Sequence, residues 1–319
     1  MKQIAFLALC LPLPVLAAPS PDEIAAATYG GGPLPDGQSA VTAVVQTLLD
    51  RAGVSPGVID GYAGGMSTSA IQALEMREGL QVDGVMDVEV WRAIGGERAD
   101  PVVQTYEVTE EDAEGLVDAI PEDYAKRAEM PSLGFVRVSE RLAERFHMDE
   151  DFLLALNDGI RIVPGVSISV MVPGDPVTGE VTRVEVDKAA GRLRAMDAGG
   201  NVLSDYPVGI GSDDNPSPTG THEVVAVAPE PNYTYDPEAN FQQGDNDEKL
   251  ILPAGANNPV GGTWIDLSKP TYGIHGTPEP AKLFVSSSHG CVRMTNWDAE
   301  ELSNMIQNGA TVEFLDENA

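Results

Sequence analysis

The chain has 319 residues, with 50 Asp and Glu against 19 Lys and Arg, a formal charge of −31, and only two cysteines. This charge opposes binding to nucleic-acid phosphates or anionic lipid, because both would repel the protein. Two cysteines cannot supply a disulfide scaffold or a four-thiolate zinc site. Hydrophobic residues make up 42% of the chain, enough for packed cores, and the length predicts two or three domains.

Residues 1–17 have the pattern of an export signal. A short basic start is followed by the apolar stretch 4–16, and Ala17 and Ala18 offer small side chains to a signal peptidase. The apolar stretch is too short to span a bilayer, so we expect cleavage and no membrane insertion of the mature protein. Cleavage leaves Cys291 as the single cysteine of an exported chain.

Residues 18–38 are rich in Pro, Gly, Ala and Ser and are predicted to form a flexible linker. In the block 39–96, apolar residues recur at helical spacing and predict a small all-α module. Its first helix is expected to start at Ser39, and its second is expected to use Thr68 as the N-cap.

The same block contains a series of short motifs that occur in order. They are Val45-Gln46-x-Leu48-Leu49, Gly57-x-Ile59-Asp60-Gly61, Thr68-x-Ala70-Ile71, Gly79-Leu80-x-x-Asp83-Gly84-Val85 and Trp91-x-Ala93-Ile94. With these motifs the block resembles the peptidoglycan-binding domain type 1 family, which implies a glycan partner in the cell wall. One departure is Leu74-Glu75, where that family usually has an aromatic residue and Gln. Taken singly, the glycines and aspartates fit turn formation equally well.

Residues 100–175 give a weaker pattern. An acidic stretch precedes two helical segments at 142–147 and 152–157, and a Pro-Gly turn leads into a strand at 166–170. This order resembles a LysM module, which implies glycan binding, and a plain connecting subdomain of mixed α and β structure fits equally well. We expect His147 to be a packing residue.

From residue 181 onward, short alternating runs between Gly and Pro turns predict a mainly-β domain. One helix is expected, from Asn296 as its cap to Gly309, and His222 in an alternating run is expected to be structural. Residues 230–262 interrupt the pattern. They are expected to form either a lid, with Tyr233 and Tyr235 as substrate walls, or a solvated surface excursion.

The candidate chemistry lies between 263 and 294. His275 ends a predicted strand, and Cys291 lies sixteen positions later between Gly290 and Val292, with Arg293 close by. A thiol becomes a nucleophile when a base or an electropositive setting removes its proton, and backbone N–H groups near it can hold an oxyanion. Two alternatives stay open from the residues alone: an inert buried cysteine, or a zinc site made by His275, His289 and Cys291.

The motif His275-Gly276-Thr277, followed by Ser288-His289-Gly290-Cys291-Val292-Arg293, is accompanied by the turn Pro218-Thr219-Gly220. With these residues the stretch 181–316 resembles the L,D-transpeptidase catalytic domain, also called the YkuD domain. The resemblance implies a mainly-β fold and acyl transfer on peptidoglycan stem peptides, with no cofactor and no metal. It also implies a periplasmic, cell-wall-associated protein that acts in wall biogenesis and cell shape.

The resemblance further implies a role for each residue of the motif. Cys291 attacks the third stem residue, and His275 is the base, oriented by a backbone carbonyl near Gly276. Shaping of the site falls to His289 and hydrogen-bonding support to Ser288, while Gly290 and Cys291 supply oxyanion N–H groups and Arg293 binds substrate or braces the loop.

The resemblance leaves the acceptor open. An amine from a second stem gives a cross-link, water makes the enzyme an L,D-carboxypeptidase, and release of a wall-attached lipoprotein makes it an amidase. A non-catalytic wall-binding protein is a further alternative. Carbapenem-type β-lactams are expected to capture the thiol covalently.

Overall fold

The computed structural model describes residues 18–212, 214–238, 241–285 and 288–315, so the predicted signal at 1–17 lies outside the described residues. Among the residues described, no helix is long and apolar enough to cross a membrane. Two large hydrophobic cores are formed, one by buried residues between 24 and 171 and the other by buried residues between 181 and 314. A third, small core joins residues from 120–133 to residues from 233–252.

The N-terminal region is helical, and its helices are α1 (Pro21–Ala26), α2 (Ala40–Arg51), α3 (Gly65–Glu78) and α4 (Val88–Ala93). The structure differs from the expected linker at 18–38, because α1 lies in it and packs on α2. Ser20 and Glu23 form a capping box that starts α1. Ile24 is buried in the core, and the Tyr29 ring lies 5.9 Å from that of Trp91. A stretch whose composition indicated a linker is therefore partly helical, with a capped helix start and a buried Ile24.

Two buried side chains hold the turns of this helical region. Gln46 accepts hydrogen bonds from the N–H groups of Asp60 (3.1 Å) and Gly61 (2.8 Å). Glu75 does the same for the N–H groups of Asp83 (2.9 Å) and Gly84 (2.8 Å). The Glu75 departure noted in the sequence therefore supports a turn. The helix α3 begins three residues before Thr68, which was the expected cap, because Gly64 takes the N-cap position.

The middle segment pairs two antiparallel strands around three helices: β1 (Val103–Glu107), α5 (Tyr124–Ala128), α6 (Val138–Arg145), α7 (Glu150–Leu156) and β2 (Ser167–Met171). The sequence predicted β2 and segments near α6 and α7 but not β1. No residue of β1 is fully buried. Its sequence therefore lacks the alternation of apolar and polar residues by which a strand is predicted.

The C-terminal region is built on an eight-stranded sheet in the order β11-β10-β9-β6-β12-β3-β4-β5. Its strands are β3 (Val181–Asp187), β4 (Arg192–Met196), β5 (Val202–Pro207), β6 (Gly220–Pro229), β9 (Thr263–Leu267), β10 (Gly273–His275), β11 (Val292–Arg293) and β12 (Ile306–Leu315). A separate hairpin pairs β7 (Tyr233–Tyr235) with β8 (Leu250–Leu252). The helix α8 (Asn296–Met305) packs against the sheet, so this region is mainly β, as predicted.

The end of the chain differs from the sequence expectation. The helix α8 stops at Met305, and Thr295 is its N-cap, accepting a 3.1 Å hydrogen bond from the Asp298 N–H. The stretch 306–315, which includes the expected helix end at Gly309, forms β12 instead. This strand lies in the middle of the sheet, parallel to β3 and antiparallel to β6. Pairing on both sides outweighs the local helical pattern.

The three regions meet at buried polar contacts. Arg192 on β4 donates to Asp205 on β5 at 2.7 Å and to the Ser55 carbonyl of the helical region at 3.0 Å. His147 of the middle segment contacts Asp50 at 2.9 Å and stacks on Trp297 with 5.2 Å between ring centroids. These contacts fix the helical region and the middle segment against the sheet.

Candidate active site

Strands β10 and β11 bring the predicted catalytic pair together. The two strands are parallel neighbours, with Ile274 opposite Val292 and His275 opposite Arg293. Cys291 directly precedes β11, so it lies beside the strand that carries His275. Both side chains line one cleft of about 1470 Å³. The register of two short parallel strands therefore assembles a site from residues sixteen positions apart in the sequence.

His275 is held as a neutral base. Its Nδ1 lies 2.6 Å from the Gly276 carbonyl oxygen, so Nδ1 carries the proton and Nε2 keeps its lone pair. Burial, with the nearby Arg293 charge, lowers the pKa of His275 to about 4. The Trp264 ring stacks on the imidazole with 5.5 Å between centroids. The imidazole can therefore take up a proton at Nε2 without first losing one.

The Cys291 side chain is a thiol in this environment. Burial raises the pKa of Cys291, while a backbone hydrogen bond from Gly273 lowers it. The half-buried Sγ donates to the Thr271 carbonyl oxygen at 3.8 Å. Thr271 has a φ of 72°, which is a strained backbone for a β-branched residue. A neutral thiol therefore lies on the same cleft as a neutral imidazole.

The residues before Cys291 form a tight hydrogen-bonded turn. Ser288 Oγ donates to the Cys291 carbonyl oxygen at 2.5 Å and accepts from the Gly290 N–H at 3.1 Å. Gly290 has a φ of 110°, and a Cβ there would lie 2.8 Å from the Tyr272 ring. The Gly290 N–H thus bonds to Ser288 in this conformation, and its role as an oxyanion donor stays a prediction.

His289 and Arg293 lie on the same cleft but in different settings. The exposed His289 ring stacks on Phe241 with 4.4 Å between centroids. Arg293 exchanges backbone hydrogen bonds of 2.8 and 2.9 Å with Gly209. Burial lowers the pKa of Arg293, and Glu279 raises it. A cationic residue is therefore held by its backbone on the strand that directly follows Cys291.

The remaining histidines lie elsewhere. His222 on β6 contacts the Thr219 carbonyl at 3.1 Å, and His147 joins the three regions as described above; neither lines the cleft. Within the described ranges, no three His, Cys, Asp or Glu side chains are grouped so that they could hold a metal ion. The zinc site considered from the sequence is thus not assembled there.

The cleft has walls that the sequence analysis did not assign. Tyr233 of the 230–262 stretch lines it, as considered for a lid, whereas Tyr235 is fully buried in the small core. Trp264 and Tyr272 line it beside the motif, and their aromatic character close to His275 was the signal available in the sequence. A second wall comes from residues 118–140 of the middle segment, and no local pattern pointed to it.

Two families match the chain. Residues 181–314 match the L,D-transpeptidase catalytic domain, and residues 39–94 match the putative peptidoglycan binding domain. The putative L,D-transpeptidase YkuD of Bacillus licheniformis is 31% identical over 178 residues, which is 54% of this chain and 90% of that protein. YkuD of Bacillus subtilis is 27% identical over 171 residues, covering 54% of this chain and 89% of that protein.

Solved structures give more distant matches. The L,D-transpeptidase (residues 123–326) from Xylanimonas cellulosilytica is 14% identical with a TM-score of 0.41, and the match covers 91% of this chain and 100% of that chain. An L,D-transpeptidase from Mycobacterium smegmatis is 19% identical with a TM-score of 0.35, covering 49% of this chain and 65% of that chain.

Proposed function

Because this chain belongs to the L,D-transpeptidase family, we propose that it is an enzyme that cross-links peptidoglycan stem peptides with Cys291 as its nucleophile. The observation that carries the proposal is that Cys291 directly precedes β11, the parallel neighbour of the strand that ends in the neutral His275, and that both side chains line one cleft. The match to a peptidoglycan-binding domain at 39–94 supports the same substrate.

In the first half-reaction, Cys291 Sγ attacks the carbonyl carbon of the third stem residue. His275 Nε2 takes the thiol proton as the bond forms, because its lone pair is kept free by the Gly276 contact at Nδ1. The oxyanion is held by the Cys291 N–H, joined by the Gly290 N–H when that group leaves Ser288. The C–N bond to the terminal D-alanine then breaks, and its nitrogen takes the proton from His275, leaving a thioester.

In the second half-reaction, an amine of another stem peptide attacks the thioester carbonyl. Its proton passes to His275 and then to the departing Cys291 thiolate, so the protein returns to the neutral pair. Water in place of the amine gives the carboxypeptidase outcome, and an amine on a lipoprotein as leaving group gives the amidase outcome. The same thiol chemistry makes β-lactams of the carbapenem type covalent inhibitors.

The helical region and the middle segment bring the catalytic domain to the cell wall. The helical region at 39–96 binds peptidoglycan, and the middle segment at 100–175, with two paired strands around three helices, is a LysM-like connecting unit. Export after cleavage of residues 1–17 brings the protein to the periplasm, where its substrate lies. The buried contacts of Arg192 with Ser55 and of His147 with Asp50 keep these units at a fixed place relative to the cleft.

The test uses tetrapeptide-bearing muropeptides and isolated sacculi, with products followed by mass spectrometry. The natural protein is expected to form cross-linked dimers between two third-position residues, and Cys291→Ala is expected to form none. Thr178→Ala, in an exposed loop, is the matched control and should behave as the natural protein. Undiminished cross-linking by Cys291→Ala would refute the role of Cys291 as nucleophile. If the natural protein gave only hydrolysed tripeptide stems and no cross-links, the activity would be hydrolysis and not transpeptidation. Binding to sacculi without any product would leave the non-catalytic alternative.

A further inference from the structure

The cleft around Cys291 is not built from the catalytic sheet alone. Tyr124, Arg127 and Arg137 of the middle segment line it together with Cys291 and His275. These three residues lie outside both matched families, which end at residue 94 and begin at residue 181. A stretch that the sequence suggested as a connector is therefore one wall of the substrate cleft.

This wall is clamped to the 230–262 stretch by backbone contacts. The Leu133 N–H donates to the Ala254 carbonyl at 2.8 Å, and the Asn257 N–H donates to the Leu133 carbonyl at 2.8 Å. A Cβ on Gly255 would lie 2.3 Å from the Leu133 carbonyl group, so the two chains touch with no side chain between them. Such backbone pairing holds the wall in a fixed position.

Side chains complete the clamp. Tyr124 on α5 packs edge-on against Tyr233 (6.3 Å), Tyr235 (5.3 Å) and Phe241 (6.1 Å). Phe241 in turn stacks on His289, two residues before Cys291. An aromatic chain thus runs from the middle segment to the catalytic loop, and α5 sits at its far end.

Arg127 is held on this wall through its Nε atom and through the contact of its guanidinium with the Tyr124 ring. Its Nε donates to the Pro121 carbonyl at 2.5 Å, and its Cζ lies 5.1 Å from the centroid of the Tyr124 ring. In the part of the chain that the structure describes, no carboxylate lies within salt-bridge distance of Arg127. By contrast, Arg137 on the same wall is bidentate to Glu150 at 2.8 and 2.7 Å.

The lack of a carboxylate partner for Arg127 among the described residues is notable because acids outnumber bases in this chain, 50 to 19. A half-buried guanidinium that faces a cleft, while acidic side chains are plentiful, is available to an anion brought by the ligand. Its planar fork suits a carboxylate, which two N–H groups can bind side by side. Orientation by Pro121 and Tyr124 reduces the side-chain entropy that binding would cost.

We propose that Arg127 binds a carboxylate of the stem peptide, and that the wall formed by residues 118–140 is a substrate-binding subsite of the enzyme. This proposal rests on the proposed function for the identity of the ligand and for nothing else. It assigns substrate selection partly to the middle segment, in a chain whose strongly acidic surface would otherwise repel an anionic peptide.

The test measures binding and not turnover, so it is independent of whether Cys291 catalyses the reaction. Calorimetry on Cys291→Ala compares a synthetic stem tetrapeptide with the same peptide whose carboxylates are amidated. Adding Arg127→Ala is expected to raise the Kd of the acidic peptide roughly 10- to 100-fold, the value of a charge-assisted hydrogen bond. The Kd of the amidated peptide is expected to stay unchanged.

Matched variants separate recognition from structure. Arg161→Ala removes an exposed arginine away from the cleft and should leave both Kd values unchanged. Arg127→Gln keeps a donor for Pro121, so a loss of acidic-peptide affinity in it too supports recognition of charge by Arg127. An equal loss for both peptides, no loss for the acidic peptide, or no binding of either peptide to Cys291→Ala would each overturn the proposal. If one of these three outcomes occurred and Cys291→Ala still lost cross-linking, the subsite proposal would be wrong and the proposed function would remain supported.

Discussion

Gly276→Ala is the substitution whose effect the structure specifies most closely. Gly276 supplies the carbonyl that orients His275, and a Cβ on it would lie 2.2 Å from Asn296 Oδ1. Gly276 is not among the glycines with positive φ, so its backbone suits alanine and only the missing space matters. Asn296 cannot simply turn away, because its Nδ2 donates to both Glu144 carboxyl oxygens at 3.0 Å and to the Ala256 carbonyl at 3.2 Å.

The magnitude follows from these contacts. Overpacking a fixed site costs about 1–3 kcal/mol, and one lost hydrogen bond adds roughly 1 kcal/mol. We therefore expect Gly276→Ala to lower the free energy of unfolding by about 2–4 kcal/mol. Displacement of the carbonyl from His275 is expected to reduce kcat by roughly 10- to 100-fold, because misplacement of a catalytic group by about 1 Å has effects of this size.

Denaturant unfolding and acylation kinetics measure the two effects. Gly30→Ala is the control, because nothing lies within 4 Å of its Cβ position and its φ is not positive. The decisive variant is Gly276→Ala combined with Asn296→Ala, which removes the clashing oxygen. The double variant should be more stable than the sum of the two single losses by about 1 kcal/mol or more. Strict additivity would refute the steric reasoning.

Two further predictions concern buried ionisable groups. Burial raises the pKa of Glu144 from its ordinary 4.5 to about 8, so the folded protein keeps a proton that the unfolded chain releases, and this contribution to stability is lost as the pH rises from about 4.5 to about 8. Glu144→Gln is expected to remove this loss of unfolding free energy, which amounts to up to a few kcal/mol at about pH 8. Thermal unfolding of both proteins between about pH 4.5 and about pH 8 is the measurement. The same dependence of stability on pH in both proteins would contradict the prediction. Because the pKa of His275 is about 4, acylation by a carbapenem is expected to keep its rate as the pH falls from neutral and to lose it only near pH 4. A stopped-flow pH profile with its midpoint near the ordinary histidine pKa of 6.5 would show that His275 is not the base, or not buried as described.

The candidate catalytic residues stand out in the sequence because their types are rare. Once the predicted signal is set aside, one cysteine remains, and the order His275, Ser288, His289, Cys291, Arg293 is long enough to indicate a family and to suggest a mechanism. The helices of the 39–96 block could be predicted as well, since apolar periodicity is a local property of the chain. The predicted helix start at Ser39 is an example: α2 begins at Ala40, and Ser39 is its N-cap, with its Oγ accepting from the Thr42 N–H at 3.2 Å.

What the sequence could not give depends on contacts between distant segments. The stretch 306–315 reads as the end of a helix, and only its two neighbouring strands make it β12. Arg127 is unremarkable in a polar stretch until Leu133 pairs with Ala254 and places α5 on the cleft. The resemblance implied the contact of His275 with a carbonyl near Gly276, but the protonation state of His275 also depends on its burial, which no motif displays.

The docking of the helical region on β5 also covers one edge of the eight-stranded sheet. β5 is the last strand of the sheet, and its outer edge is covered by residues 53–55, which exchange backbone hydrogen bonds of 2.8 and 3.0 Å with Asp205. An uncovered edge strand recruits strands from other molecules. Removal of the first 96 residues would therefore expose the edge of β5 to pairing with other molecules. It would also leave the Arg192 guanidinium without its Ser55 partner. The helical region thus covers an edge of the sheet that would otherwise be open to pairing with another strand.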